Sequence, residues 1–304
     1  TQALARNPEA KSLMNGMIPQ LVTDCFYDSC SAAWQKEDGT LDAEALGAYL
    51  NAMQAIYDLD APMREQYADF LKQLEAEGDN FYTPGDYTSI SGARDIVMDG
   101  TALSAGTLES MELWAGALAG EDRLEGYALV PLNLQASGVF LPRQLYGVLK
   151  TTENEDGARE FVQFVLSEEV QENALSYGFP VNRAAFDRQI QEDKTVEDRF
   201  ASSDENGNMI SVAARYPSAA ERKQLVSWVD ALTTPAMTDR TVRKLVSDQA
   251  AASMRGTCTP AEAVAQALQS WRRFSAAQRG PFLSCKKPPS THPTPKEAMS
   301  RAKA

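Results

Sequence analysis

Residues 139–187 read VFLPRQLYGVLKTTENEDGAREFVQFVLSEEVQENALSYGFPVNRAAFD. Two periodicities meet in this stretch. Gln144 to Leu149 is a short, mostly apolar run bounded by turn residues, which suits a buried strand. From Glu155 onward Ala158, Phe161, Val162, Phe164, Val165 and Val170 recur at helical spacing, continued by Ala174 and Leu175. The Tyr177-Gly178-Phe179-Pro180 turn ends that helix.

Upstream, the turn Asp38-Gly39-Thr40 introduces a helix with Leu41, Ala45, Leu46, Tyr49, Leu50, Met53, Ile56 and Tyr57 at helical spacing. Pro62 starts a second helix, with Met63, Tyr67, Phe70, Leu71 and Leu74 on one face and Gly78 as its stop. Residues 1–40 read as irregular, with aromatic patches at Phe26, Tyr27 and Trp34. A turn-rich segment covers 82–92. Thr101 to Ala105 reads as a short strand, and a helix follows through Leu108, Met111, Leu113 and Trp114. Tyr127 to Leu132 reads as another strand.

The last third reads as all-helical. Ser218-Ala219-Ala220-Glu221 and Thr259-Pro260-Ala261-Glu262 are capping boxes, in which the hydroxyl and the carboxylate reciprocally satisfy free backbone N–H groups. The second has Pro at the first helical position.

The 304 residues are 43% hydrophobic, enough for a sizeable core and, as a prior on length, about two domains. The formal net charge is -13. Nucleic-acid binding depends on neutralising phosphates with Lys and Arg, so no nucleic-acid partner is expected, nor broad contact with an anionic membrane. From Arg279 onward six basic residues stand against one acid, among five prolines. Residues 279–304 therefore read as a disordered basic Pro-rich tail. The opening Thr1 to Pro8 lacks the apolar core of a signal peptide, and the chain is expected to be soluble and truncated or processed at its front.

Cys25, Cys30, Cys258 and Cys285 match no zinc spacing. A Cys25–Cys30 disulfide and unpaired thiols both remain open. The one histidine, His292, lies in the tail, so the folded part offers no Ser-His-Asp or Cys-His base. No P-loop, G-x-S-x-G or G-x-G-x-x-G occurs. Among 42 acids a two-carboxylate glycosidase stays open as an alternative. The expectation is nonetheless no enzyme, no metal and no cofactor. Trp34, Trp114, Phe140 and Tyr146 are either core packing or faces on which sugar rings stack. Trp228 and Trp271, at helical spacing among apolar residues, read as packing.

Residues 139–187 resemble the extracellular solute-binding proteins of bacterial ABC importers, of the sugar-binding type. In that family a phrase like F-x-P precedes a helix A-x-E-F-x-x-F-L-L-S-x-E-x-Q and then G-F-P-V-N. Ala158, Glu160, Phe161, Phe164, Leu166, Ser167, Glu169 and Gln171 fit the helix. Gly178, Phe179, Pro180, Val181 and Asn182 fit the phrase after it. Residues 232–271 look like the closing helices with their L-T-T-P entry, and 99–111 look like a strand and loop of the family. Val148-Leu149-Lys150 departs from the family's Ile-Asn-Ala, and Phe274-Ser275-Ala276-Ala277 from its Tyr-Leu-x-Glu.

The resemblance implies a carboxy-terminal portion with a helix-rich α/β, periplasmic-binding-protein-like type II two-lobe fold in which lobe one is incomplete. Residues 1–131 would be the first part of lobe two, 132–183 a lobe one segment, and 184–278 the closing helices of lobe two. The implied function is capture of a small solute, a sugar or oligosaccharide, by hinge closure, with ABC transporter permease subunits as partners. A monomer is expected, extracellular or periplasmic, with a lipid anchor absent from this chain. A truncated, non-binding remnant is the third reading.

Ligands of open α/β sheets sit beyond the strands' carboxyl ends. By resemblance one loop there carries Ser104, Gly106, Thr107 and Glu109. A second carries Phe140, Arg143 and Gln144, and the helix entry at Met237 and Asp239 closes the far side.

Overall fold

Val22, Thr23, Phe26, Tyr27, Cys30, Ser31 and Trp34 repeat at three- and four-residue spacing, and in a computed structural model of the chain they form the buried face of a helix. The structure describes residues 8, 10–14, 18–36, 38–69, 71–72, 100–123, 128–172, 178–194, 199–203, 208–237 and 239–279. In chain order the elements are α1 (Pro19–Trp34), α2 (Ala43–Leu59), α3 (Ala61–Gln66), α4 (Met111–Arg123), β1 (Val139–Phe140), α5 (Glu155–Val165), α6 (Glu168–Glu172), α7 (Arg183–Gln191), β2 (Arg199–Ser203), β3 (Met209–Ala213), α8 (Ala219–Asp230), β4 (Thr234–Pro235), α9 (Arg240–Met254) and α10 (Pro260–Arg279). The architecture is helix-rich with few strands.

The main core joins α1, α2, α9 and α10, elements from opposite ends of the chain. Trp34 is fully buried, edge-on to Tyr27 at 5.2 Å between ring centres and tilted against Tyr49 at 6.0 Å. Tyr49 donates its hydroxyl to the Thr23 carbonyl at 2.5 Å, so α2 is hydrogen-bonded to α1 where the core is driest. Ala263 and Ala267, both at zero exposure, let α10 approach its neighbours closely. Trp271 of α10 donates its indole N–H to the Gly39 carbonyl at 2.7 Å. Fully burying a large apolar side chain contributes about 1.5–3 kcal/mol, so these aromatics dominate the packing energy of the bundle.

A second core gathers Met111, Trp114 and Leu118 of α4, Phe186 and Ile190 of α7, and Leu225 of α8. Trp228 lies 6.2 Å from Trp114, as packing rather than as a free aromatic face. The antiparallel pair β2–β3 packs on α4. Strands β1 and β4 pair in parallel, Val139 opposite Thr234 and Phe140 opposite Pro235, and β1 rests on α1. Gly138 makes this ribbon possible. Its φ is 60°, and a Cβ there would stand 2.5 Å from the Ala231 carbonyl oxygen. Its own carbonyl accepts from Thr233 and Thr234 N–H at 2.8 and 2.9 Å.

Several sequence expectations need correction. Residues 19–34 are a core helix rather than an irregular segment. The buried face carries Thr23, Asp24, Asp28 and Ser31, and these polar residues obscure the apolar stripe. The last third is not all-helical, since it contains β2, β3 and β4. Residues 128–132 and 144–149 are not strands, and 101–105 is reduced to a parallel bridge between Thr101 and Ser12. An apolar run becomes a strand only where a second strand meets its backbone groups, and for 144–149 none does among the described residues. The segment 11–13 does pair with 100–103, through Lys11 N–H to Gly100 O and Ala102 N–H to Ser12 O.

Other expectations hold. Leu46, Tyr49, Leu50 and Met53 of α2 are buried. The Ser218–Glu221 capping box is complete, and Thr259 and Glu262 exchange the same pair of bonds at 2.8 and 3.2 Å. Cys25 and Cys30 are not joined in a disulfide, and neither is Cys258 disulfide-bonded. Cys285, His292 and the tail from Gly280 lie outside the described residues, as do 82–92 and the helix stop at Gly78. Among the described residues no helix is long and apolar enough to cross a membrane.

Candidate functional site

Glu109 precedes α4 by two residues, and Arg143 follows β1 by three. Their side chains meet in an ion pair, with Glu109 12% exposed and Arg143 42%. The stem of Arg143 lies over Gly178, whose φ is 111° and where a Cβ would come within 3.4 Å of Arg143 Cγ. Three segments distant in sequence therefore meet along one arginine side chain: the entry to α4 at its guanidinium, the exit of β1 that carries it, and the turn before α7 at its stem.

The β1–β4 ribbon brings in the third candidate loop. The Phe140 carbonyl accepts from Ala236 N–H at 2.8 Å, which sets Met237 beside the exit of β1. Phe140 is 37% exposed and Met237 53%, while Tyr146 donates its hydroxyl to Gln144 Oε1 at 2.5 Å. Ser104, Gly106 and Thr107 are half-buried. Glu109, Phe140, Arg143, Gln144 and Met237 thus lie on two adjoining loops and the segment paired with them. Asp239 has a duty in the fold beside the acceptor role expected of it. It is the N-cap of α9, its carboxylate accepting from Thr241 N–H at 2.7 Å and Val242 N–H at 3.2 Å. Of the four aromatics first considered as stacking faces, Trp34 and Trp114 are buried in the two cores, and Phe140 and Tyr146 are accessible.

No protein-family model matches the chain, and no curated protein or solved structure matches it. The resemblance to solute-binding proteins therefore stands on its motifs, and the chemistry on the residues themselves.

One charged cluster escaped the sequence reading. Arg243 of α9 is buried between two carboxylates of α1. Its Nε donates to Asp24 at 3.1 Å, and its Nη2 donates to Asp28 at 3.1 Å. Its guanidinium carbon lies 4.7 Å from the centre of the Tyr27 ring. Burial opposes the charge on Arg243, but Asp28 and Asp24 outweigh it and its pKa is raised. Burial also drives the Tyr27 phenol well above its ordinary value, Arg243 pulling the other way and Asp28, Asp239 and Asp24 adding to the rise. The sequence signal was there in Asp24 and Asp28, two acids one helical turn apart on the same face as Val22, Phe26 and Tyr27.

Proposed function

We propose that the chain captures a small solute for an ABC importer, holding it against the loops around Glu109, Arg143 and Met237. The observation that carries this reading is the meeting of those loops. Three segments assigned to ligand contact by resemblance are tied together by the Glu109–Arg143 ion pair and by the β1–β4 ribbon. The accessible ring of Phe140 and the polar groups of Gln144 and Thr107 supply the mixture that sugars bind, an apolar face flanked by hydrogen-bonding groups. A carbohydrate or oligosaccharide is the ligand class this favours.

The finer architecture, a type II two-lobe fold with lobe one incomplete, belongs to the same proposal. Helix α5 supports it. It buries no residue, and Phe161 and Phe164 are 59% and 56% exposed. An amphipathic helix with its aromatic face in water calls for a packing partner. By the same reading, ligand favours closure by its differential affinity for the closed state.

Calorimetric titration of a sugar panel against the chain in its full reading frame tests the proposal. Phe140→Ala and Glu109→Ala should each weaken the best ligand by about 1 kcal/mol or more. Unchanged affinity in both would move the site elsewhere. Turnover of a glycoside would replace capture with hydrolysis.

A further inference from the structure

We infer that Arg243, bolted between Asp24 and Asp28, is a positioning residue that sets the 236–239 loop of the proposed solute site. The inference rests on the solute-binding reading for its purpose, but not for its geometry. The described residues on either side of 238 are held. At one end Ala236 N–H is bonded to the Phe140 carbonyl. At the other, Asp239 caps α9, and the backbone N–H of Arg243 closes the first turn onto the Asp239 carbonyl at 2.9 Å. Whatever fixes the rotation and slide of α9 at Arg243 therefore fixes Asp239 and with it that end of the loop.

Apolar packing does this poorly on its own. Val242, Val246 and Ala250 of α9 face α1 and α2, and such side chains tolerate small rotations and slides. The guanidinium does not. It donates in two directions from one plane, through Nε to Asp24 and through Nη1 and Nη2 to Asp28 at 3.4 and 3.1 Å. Tyr27 lies against it and is itself held, accepting from Gln35 Nε2 at 2.7 Å and packing on Trp34. A buried ionic cluster usually adds little stability over well-packed apolar residues of similar volume, and in some proteins its directional bonds specify geometry instead. Lysine keeps the charge but lacks the planar fork.

Amide hydrogen exchange on the full chain without ligand, read by mass spectrometry, compares wild type with Arg243→Lys and with the triple variant Asp24→Leu, Asp28→Leu, Arg243→Met. The expected result is at least about ten-fold faster exchange across residues 236–242 in both, with the α2 amides around Tyr49 unchanged and helical circular dichroism kept. Wild-type exchange at 236–242 in either folded variant overturns the proposal. Should the triple variant not fold, the lysine variant decides alone. The sugar titration is a separate arm. If wild type binds no sugar, the solute reading fails while the exchange result still stands or falls by itself.

Discussion

Glu109 and Arg143 pair across the two loops that lead into α4 and out of β1, and the acid is the more buried partner, 12% exposed against 42%. A pair so placed gains from reduced solvent screening on one side and is still open to salt on the other. In a double-mutant cycle of Glu109→Gln and Arg143→Met, read by urea unfolding, the coupling should be about 0.5–1 kcal/mol and should shrink at high salt. A coupling of zero at low salt would mean that the two loops are not tied in solution.

The helix caps make a second prediction. Ser218 and Thr259 each accept an N–H from the third helical residue, at 3.4 and 3.2 Å, and each hydroxyl also bonds the matching glutamate. Ser218→Ala and Thr259→Ala should each cost about 0.5–2 kcal/mol in chemical denaturation. Asp239→Ala should fall in the same range, because its carboxylate caps α9.

Acid sensitivity follows from Glu221. Hydrogen bonds from Arg215 chiefly, and then from Ser218, hold its pKa down at about 2, against an ordinary 4.5, with burial opposing. A carboxyl depressed on folding adds its full stability above its unfolded pKa and loses it as pH falls toward the folded one. The window is therefore pH 4.5 down to about 2. Glu221→Gln should flatten the fall in stability across that window. An unaltered acid limb in urea titrations at several pH values would show that the carboxylate is not held this way.

Two aromatic residues of similar appearance in the sequence should behave oppositely. Trp34 is fully buried among Tyr27 and Tyr49, and Trp34→Ala should cost about 3–5 kcal/mol. Phe161 is 59% exposed on α5, and Phe161→Ser should change stability by no more than about 0.5 kcal/mol while lowering the binding of a hydrophobic dye. Severe destabilisation by Phe161→Ser would show that α5 is packed in solution.

Local signals were readable along the chain wherever structure depends on near neighbours. The α2 stripe of Leu46, Tyr49, Leu50 and Met53, the two capping boxes and the start of α5 after Asn154 all follow from three- and four-residue spacing. The β2–β3 pair had a signal that went unread. Asn206-Gly207 lies between the runs that pair, and Asn-Gly is a strong hairpin turn. The supposed strands show the opposite error at their described residues, 128–132 and 144–149, since an apolar run says nothing about whether a pairing edge is available.

The amino-acid order by itself determined the helix-rich character, the caps and the apolar faces, because these are set within a few residues by backbone hydrogen bonding and side-chain periodicity. Tertiary structure decided which faces meet. It placed α1 in the core with α9 and α10 from the far end of the chain, and it buried Trp34 and Trp114 while leaving Phe140 in reach of solvent. It made Asp239, a candidate ligand contact, the cap of a helix as well, and it gave Asp24 and Asp28 a cation more than 200 residues away. Those outcomes depend on long-range burial and on the cost of an unpaired buried charge, which no local window of sequence contains.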